Sequence, residues 1–174
     1  MLTYRLNKID YVSLCEGVTT LINTNTMMIK MNQDKLVDIP VLYDADVGLD
    51  LSGYLYEKAL NLDELIELHT QRDYLVYALG FSPAFAFLST VNWRLVTSRL
   101  ATPRIQVPAG SVGIADNQTA VYPIASSGGW KIIGRTPLDL SLANPENINL
   151  FKLGDTIRFR SIELAEYLAL GGQR

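Results

Sequence analysis

GFSPAFAFLSTVNWRLVTSRLATPRIQVPAGSVGIADNQTAVYPIASSGGWKIIGRTP, residues 80–137, is the stretch that decides the fold of this chain. Its Gly and Pro residues are not spread as turns between periodic apolar segments. They cluster beside Arg, Thr, Gln and Trp, as in Gly80-Phe81-Ser82-Pro83, Ala101-Thr102-Pro103-Arg104, Val107-Pro108-Ala109-Gly110-Ser111, Gly128-Gly129-Trp130 and Gly134-Arg135-Thr136-Pro137. Such clusters mark loops held in fixed shapes around a polar site.

Working outward, the clearest strands are Tyr74–Leu79, Val112–Ala115, Ala120–Ile124, Trp130–Arg135 and Thr156–Phe159, with tight turns at Asp116-Asn117 and Gly154-Asp155. Upstream, Leu36–Tyr43 reads as a strand in which Pro40 requires an edge position or an irregularity. Asp50 or Ser52 caps a short helix running to Leu60. A second helix follows at once, with Asn61 and Glu64 as a capping box, an apolar stripe of Leu62, Leu65, Ile66 and Leu68, and His69 in its last turn. Ser161 caps a final helix, Ile162–Leu170, which Gly171-Gly172 ends. Many strands and few helices predict a small barrel with helices at its rim, a mainly β fold with α. Residues 1–35 read as a separate unit of three short strands, Tyr11–Leu14, Thr19–Ile22 and Met27–Met31, joined through Asn32–Lys35 to the barrel unit at 36–174.

The chain has 174 residues, 48% of them hydrophobic, which suffices for one good core with a small satellite. A net charge of -3 gives no basic footprint for nucleic acid. One cysteine, Cys15, precludes an internal disulfide and suits a reducing cytoplasm; with a single His beside it, a zinc site of the usual type is not expected, and no metal is. No apolar signal core or membrane-spanning run is visible.

The motifs resemble one family, the KipI family, also described as allophanate hydrolase subunit 1 or as PxpB, the B-type subunit of 5-oxoprolinase. Its pattern runs "LH", "Y.V..LGF.PGF.YL", "R..TPR..VPAGSV.IA..QT.IYP..SPGGW.IIGRTP" and "GD.VRF". The matching residues here are Leu68-His69, Tyr74 to Phe81 with Pro83, Leu100 to Arg104, Val107 to Val112, Gln118-Thr119, Tyr122-Pro123, Gly128 to Pro137 and Gly154-Asp155. The resemblance implies a cyclophilin-like β-barrel preceded by a shortened ferredoxin-like remnant. It implies a partner of the PxpC type (allophanate hydrolase subunit 2) and a third oxoprolinase subunit. The activity implied is ATP-dependent opening of 5-oxo-L-proline to glutamate, or a related amide or carboxyl transfer, by a chain inactive alone. ATP would be bound largely by a partner, since no phosphate-cradling Gly-rich loop of the P-loop type is present. The family's other known role is inhibition of a sensor histidine kinase, for which the same barrel would clasp a helix or Pro-containing segment. Three departures stand out: Pro83-Ala84-Phe85 replaces the family's PGF, Ser127 replaces the Pro of SPGGW, and the front end shows only the later strands of the N-terminal domain, without its helices. Ala84 disfavours a positive φ, so a changed turn is expected there.

The candidate catalytic residues are His69, Arg104 and Arg135. A guanidinium forks onto a carboxylate, carbamate or phosphate; alternatively each Arg makes a structural ion pair, with Asp50 or Asp155 as candidate partners. His69, at a helix C-terminus where the dipole favours its cation, can act as acid or base, or can cap the helix or pack under the loops. Candidate substrate-binding residues are Gly80, Phe81, Pro83, Ser111, Gln118, Thr119, Gly129, Trp130 and Thr136. Gln118, Thr119 and Ser111 can hydrogen-bond a lactam or tie loops to the backbone; Ser111 favours the second role, and a Ser111–His69–Asp50 triad is the least favoured reading. Phe81, Phe85 and Trp130 can wall a pocket, anchor an interface or simply pack in the core. Arg104, Arg135, Gln118 and Thr119 are expected to meet at one mouth of the barrel.

Overall fold

The computed structural model describes residues 10–24, 35–145, 147 and 150–173. The chain divides into two compact units, Met1–Gln33 and Asp34–Arg174. In the first, Tyr11–Thr24 is a helix, α1. This overturns the two strands expected at Tyr11–Leu14 and Thr19–Ile22 and the expected absence of helices; the third, Met27–Met31, lies outside the described residues. Four-residue alternations cannot separate a strand from a helix, and Tyr11, Leu14, Cys15 and Val18 also fit a 3.6-residue period. The deciding signal was Asp10, whose carboxylate accepts the Ser13 N–H at 2.8 Å and so satisfies an otherwise orphaned amide of the first turn.

The second unit runs β1 (Leu36–Val41), α2 (Leu51–Lys58), α3 (Leu62–Thr70), β2 (Asp73–Leu79), β3 (Ala86–Thr90), a 3-10 turn at Trp93–Leu95, β4 (Arg104–Val107), β5 (Ser111–Ala115), β6 (Gln118–Val121), β7 (Ser126–Gly128), β8 (Lys131–Arg135), β9 (Thr156–Ser161) and α4 (Leu164–Ala169). Seven strands form one sheet in the order β1-β9-β2-β3-β6-β5-β8. Its two ends meet: Leu42, one residue past β1, exchanges both backbone hydrogen bonds with Arg135 of β8, at 2.9 and 3.0 Å. The sheet is thereby a nearly closed barrel, which shortens its exposed edges. Pro40 sits on an end strand of the ladder and pairs by register with Arg160.

The helices follow from their caps. Asn61 and Glu64 form the reciprocal capping box, with bonds of 2.8 and 2.9 Å, and α3 turns Leu65 and His69, four residues apart, inward together. Asp50 stands at the N-cap position of α2, but its carboxylate makes no capping bond; it is used elsewhere. The closing helix is α4, entered from Glu163 rather than from Ser161.

Alternation along β5 divides two cores. Val112 and Ile114 join Ile39, Leu65, Tyr74, Leu88, Ile157 and Phe159 in the larger core. Ala115 belongs to a second, aromatic core with Phe85, Val107, Ala120, Tyr122, Trp130 and Ile132, over which the separate β4–β7 ribbon lies through Val107. Among the described residues, no helix is long and apolar enough to cross a membrane.

Candidate functional site

The loop joining β2 to β3 carries two non-glycine residues in the left-handed region, Phe81 at φ 70° and Ala84 at φ 63°. Ala84 thus keeps the positive φ that its side chain was expected to disfavour. Short backbone bonds over-determine the loop: Gly80 N–H to Phe85 O at 3.1 Å, Ser82 N–H to Gly80 O at 2.9 Å and Phe85 N–H to Ser82 O at 3.1 Å. Such conformations cost about 1–3 kcal/mol each and persist where surrounding structure imposes them.

What the loop builds is one wall of a cavity of about 150 Å3, lined by Phe81, Phe85, Phe87, Tyr122 and Trp130, by the Gly128-Gly129 backbone and by Arg99. Phe85 is its hub, edge-on to Phe81 at 5.2 Å, to Tyr122 at 5.3 Å and to Trp130 at 6.0 Å. Trp130 is 5% exposed, whereas Phe81 is 65% exposed at the rim. Gly128 admits no side chain, because a Cβ there would collide with the Tyr122 phenol. Burial raises the Tyr122 pKa, so this ring presents a neutral hydroxyl. Among the described residues, the single charged group in the lining is Arg99, whose guanidinium carbon lies 5.9 Å from the Trp130 ring centroid. Its carboxylate partner, Asp116, is 3.5 Å away and both side chains are more than half exposed. A pair in that setting contributes about 0–1 kcal/mol and is readily exchanged for another anion.

The expected site residues therefore separate. Phe81, Gly129 and Trp130 share the aromatic cavity. Gly80 and Pro83 line an adjoining apolar cavity of about 290 Å3 with Leu142 and Phe151. Arg135 and Thr136 line a third, of about 210 Å3, with Ala109 and Tyr167. Arg104, Arg135, Gln118 and Thr119 do not meet at one mouth. Arg135 pairs with Ser111 and Gln118 with Ala115, the two ends of β5; four residues of strand hold them about 14 Å apart along the barrel wall. Arg104 spends its fork on Asp50, at 2.7 and 2.9 Å, while Asp50 Oδ2 also accepts the Ile132 N–H at 2.7 Å. The structural ion pair is thus the reading the geometry takes for Arg104, and it ties the start of β4, opposite Gly128, to β8. Ser111 is fully buried, and its hydroxyl has no partner among the described residues. By strand alternation it lies on the face opposite Ile114, whereas Thr119, which touches His69, pairs with Ile114. No Ser–His–Asp triad forms.

His69 is fully buried inside the barrel, stacked on Phe159 at 4.5 Å. Thr119 Oγ1 donates its one proton to Gly113 O at 3.0 Å, so it must accept from His69 Nε2–H at 3.0 Å, and Nδ1 must accept from Tyr43 O–H at 2.7 Å. The tautomer is fixed by this chain of bonds. Burial pushes the imidazole pKa down to about 3, which outweighs the helix dipole expected to favour the cation. His69 is neutral and sealed, and it links α3 to the segment just after β1, through Tyr43, and to β6, through Thr119.

The family model described as carboxyltransferase domain, subdomain C and D, matches residues 1–151. The B-type subunit of 5-oxoprolinase from Bacillus subtilis (strain 168) is 42% identical over 135 residues, covering 78% of this chain and 56% of that protein. The chain belongs to this family, the KipI/PxpB family. It spans little more than half the length of that relative. A conserved uncharacterized protein of Pyrococcus horikoshii superposes with a TM-score of 0.72 at 37% identity, over 94% of this chain and 74% of that one. The Kluyveromyces lactis urea carboxylase superposes with a TM-score of 0.60 at 15% identity, over 95% of this chain and 17% of that one, a likeness of fold alone.

Three participants, Phe87, Arg99 and Tyr122, do not stand out in the sequence as site residues. Arg99 stands at the first position of the family's R..TPR pattern, and that position was the available signal. Tyr122, next to Pro123, gave only a motif match; its place in the cavity depends on the β6–β7 connection folding across Gly128.

Proposed function

We propose that this chain is the B-type component of an ATP-dependent 5-oxoprolinase, or of a related amide or carboxyl-transfer hydrolase, and supplies half of an active site completed by a PxpC-type partner. The observation that carries the reading is the aromatic cavity with one weakly paired guanidinium at its wall, in a member of this family. 5-Oxoproline is a five-membered lactam bearing one carboxylate. Its methylene face suits a wall of Phe and Trp, and its carboxylate suits Arg99, which exchanges Asp116 for the ligand. Tyr122 offers the lactam a neutral hydroxyl. His69 and Arg104 are positioning residues: the first sets the barrel wall from inside, the second holds the Gly128-Gly129 side of the cavity. This chain binds and orients; ATP is held largely by another subunit, and no metal is assigned to this one.

The test is glutamate formation from 5-oxoproline and ATP by the chain mixed with the other two oxoprolinase subunits. Arg99→Gln is expected to raise KM for 5-oxoproline by about tenfold or more, the loss of a charged hydrogen bond, with a smaller change in kcat. No glutamate from the complete mixture refutes the reading. The exposed Phe81 ring favours a second reading, a docking groove for a histidine-kinase segment. That reading requires inhibition of kinase autophosphorylation that Phe81→Asp abolishes.

A further inference from the structure

Two donors from different elements converge on one oxygen at the other end of the barrel. Arg135 leaves β8 at the seam where the barrel closes, so its backbone is fixed on both sides by Leu42. Its side chain is fixed as well: Nε–H donates to Ala109 O at 2.8 Å. From that anchored position Nη1 reaches Gln173 O at 3.4 Å, and the Tyr167 hydroxyl donates to the same oxygen at 2.9 Å. Tyr167 is 1% exposed, so its phenol is held in place by packing. The rest of the fork, Nη2, has no partner among the described residues, and Arg135 has no carboxylate within 4.0 Å among them. Asp139, the acid of the same groove, turns its Oδ1 to the Ser141 N–H at 2.9 Å.

A preset guanidinium beside a preset phenol is a receptor for a carboxylate, one oxygen on each donor pair. Here a carbonyl of the segment that follows α4 fills half of it. The segment reaches that position only because Gly171 adopts φ +90° and Gly172 lies against the Tyr167 ring, where any Cβ would collide.

We propose that the Arg135–Tyr167 groove is a carboxylate-binding site, separate from the aromatic cavity, and that residues 171–173 act as a strap that covers it. A carboxylate, on a small molecule or at a peptide C-terminus, binds when the strap lifts, and the strap lowers its affinity by competing for the same two donors.

The probe is acetate, followed through the Arg135 Nε–H signal in 15N-correlated NMR at constant ionic strength, with the signal assigned from its loss in Arg135→Lys. The full chain is expected to bind acetate weakly. Removal of residues 171–174 is expected to tighten binding about tenfold. Gly172→Ala lifts the strap without shortening the chain, and serves if the truncation perturbs folding. Acetamide and chloride are expected to leave the signal unmoved, and Tyr167→Phe to weaken acetate severalfold. Acetyl-glycyl-glycine, with its free C-terminus, compared with acetate, distinguishes a chain terminus from a small acid. Equal acetate affinity in the full chain and in both strap variants overturns the strap, and an Arg135 signal that acetate never moves, or that chloride moves equally, overturns the site.

Discussion

His69 offers a test in which the sign, the window and the magnitude all come from the geometry. It is the chain's one histidine, it is fully buried, and both ring nitrogens are engaged with neutral partners. Its pKa falls from 6.5 to about 3 on folding, with burial as the cause. Between those values the unfolded chain binds a proton that the folded chain cannot accept. Stability is therefore complete above pH 6.5 and declines as the pH falls, by about 1.4 kcal/mol per unit, until the folded imidazole itself titrates. At pH 5 the loss is about 2 kcal/mol, a large part of a domain's stability. Carboxylates titrate in the same range, so the measurement is a difference. Urea unfolding of wild type and His69→Gln is followed at several pH values from 7.5 to 4.5. The variant is expected to be less stable at neutral pH, because the Tyr43 hydroxyl and Thr119 lose a partner of fixed geometry. Its deficit is expected to shrink by about 2 kcal/mol by pH 5. A deficit constant across the range would refute the claim that His69 is held neutral inside the barrel.

Two further outcomes follow from the wall of the aromatic cavity. Asp50→Ala strips Arg104 of both hydrogen bonds and leaves the Ile132 N–H without its acceptor; a loss of about 2–4 kcal/mol is expected in thermal or urea unfolding, and a double-mutant cycle with Arg104→Ala should return a coupling energy, whose absence would show the pair to be incidental. Ala84→Gly relieves a left-handed alanine, so it is expected to be neutral or stabilising by up to about 1 kcal/mol, whereas Ala84→Val costs more than that; equal losses in both would show that the loop is not held at positive φ.

Much of the fold was legible because it rests on local chemistry. The capping box at Asn61 and Glu64, the turn at Asp116-Asn117 and the strand-like runs around Ile114 and Ile132 each carry their signal within a few residues. The front end was not legible from its four-residue alternations, which fit a strand and a helix alike; the Asp10 cap goes with the helix. Part of the candidate site was legible too: Phe81, Gly129 and Trp130, three of the expected residues, line one cavity. The expected convergence of Arg104, Arg135, Gln118 and Thr119 was not, because motif order along the chain says nothing about strand register.

The sequence by itself determined the barrel class, the family and the rigid loops, since turn chemistry, side-chain periodicity and motif spacing are properties of neighbours along the chain. Only the tertiary structure decided which motifs face one another. A strand's pairing and the side to which each residue points are set by contacts between segments far apart in sequence. That is why Arg104 closes on Asp50, Arg99 joins the aromatic wall, and His69 disappears into the interior.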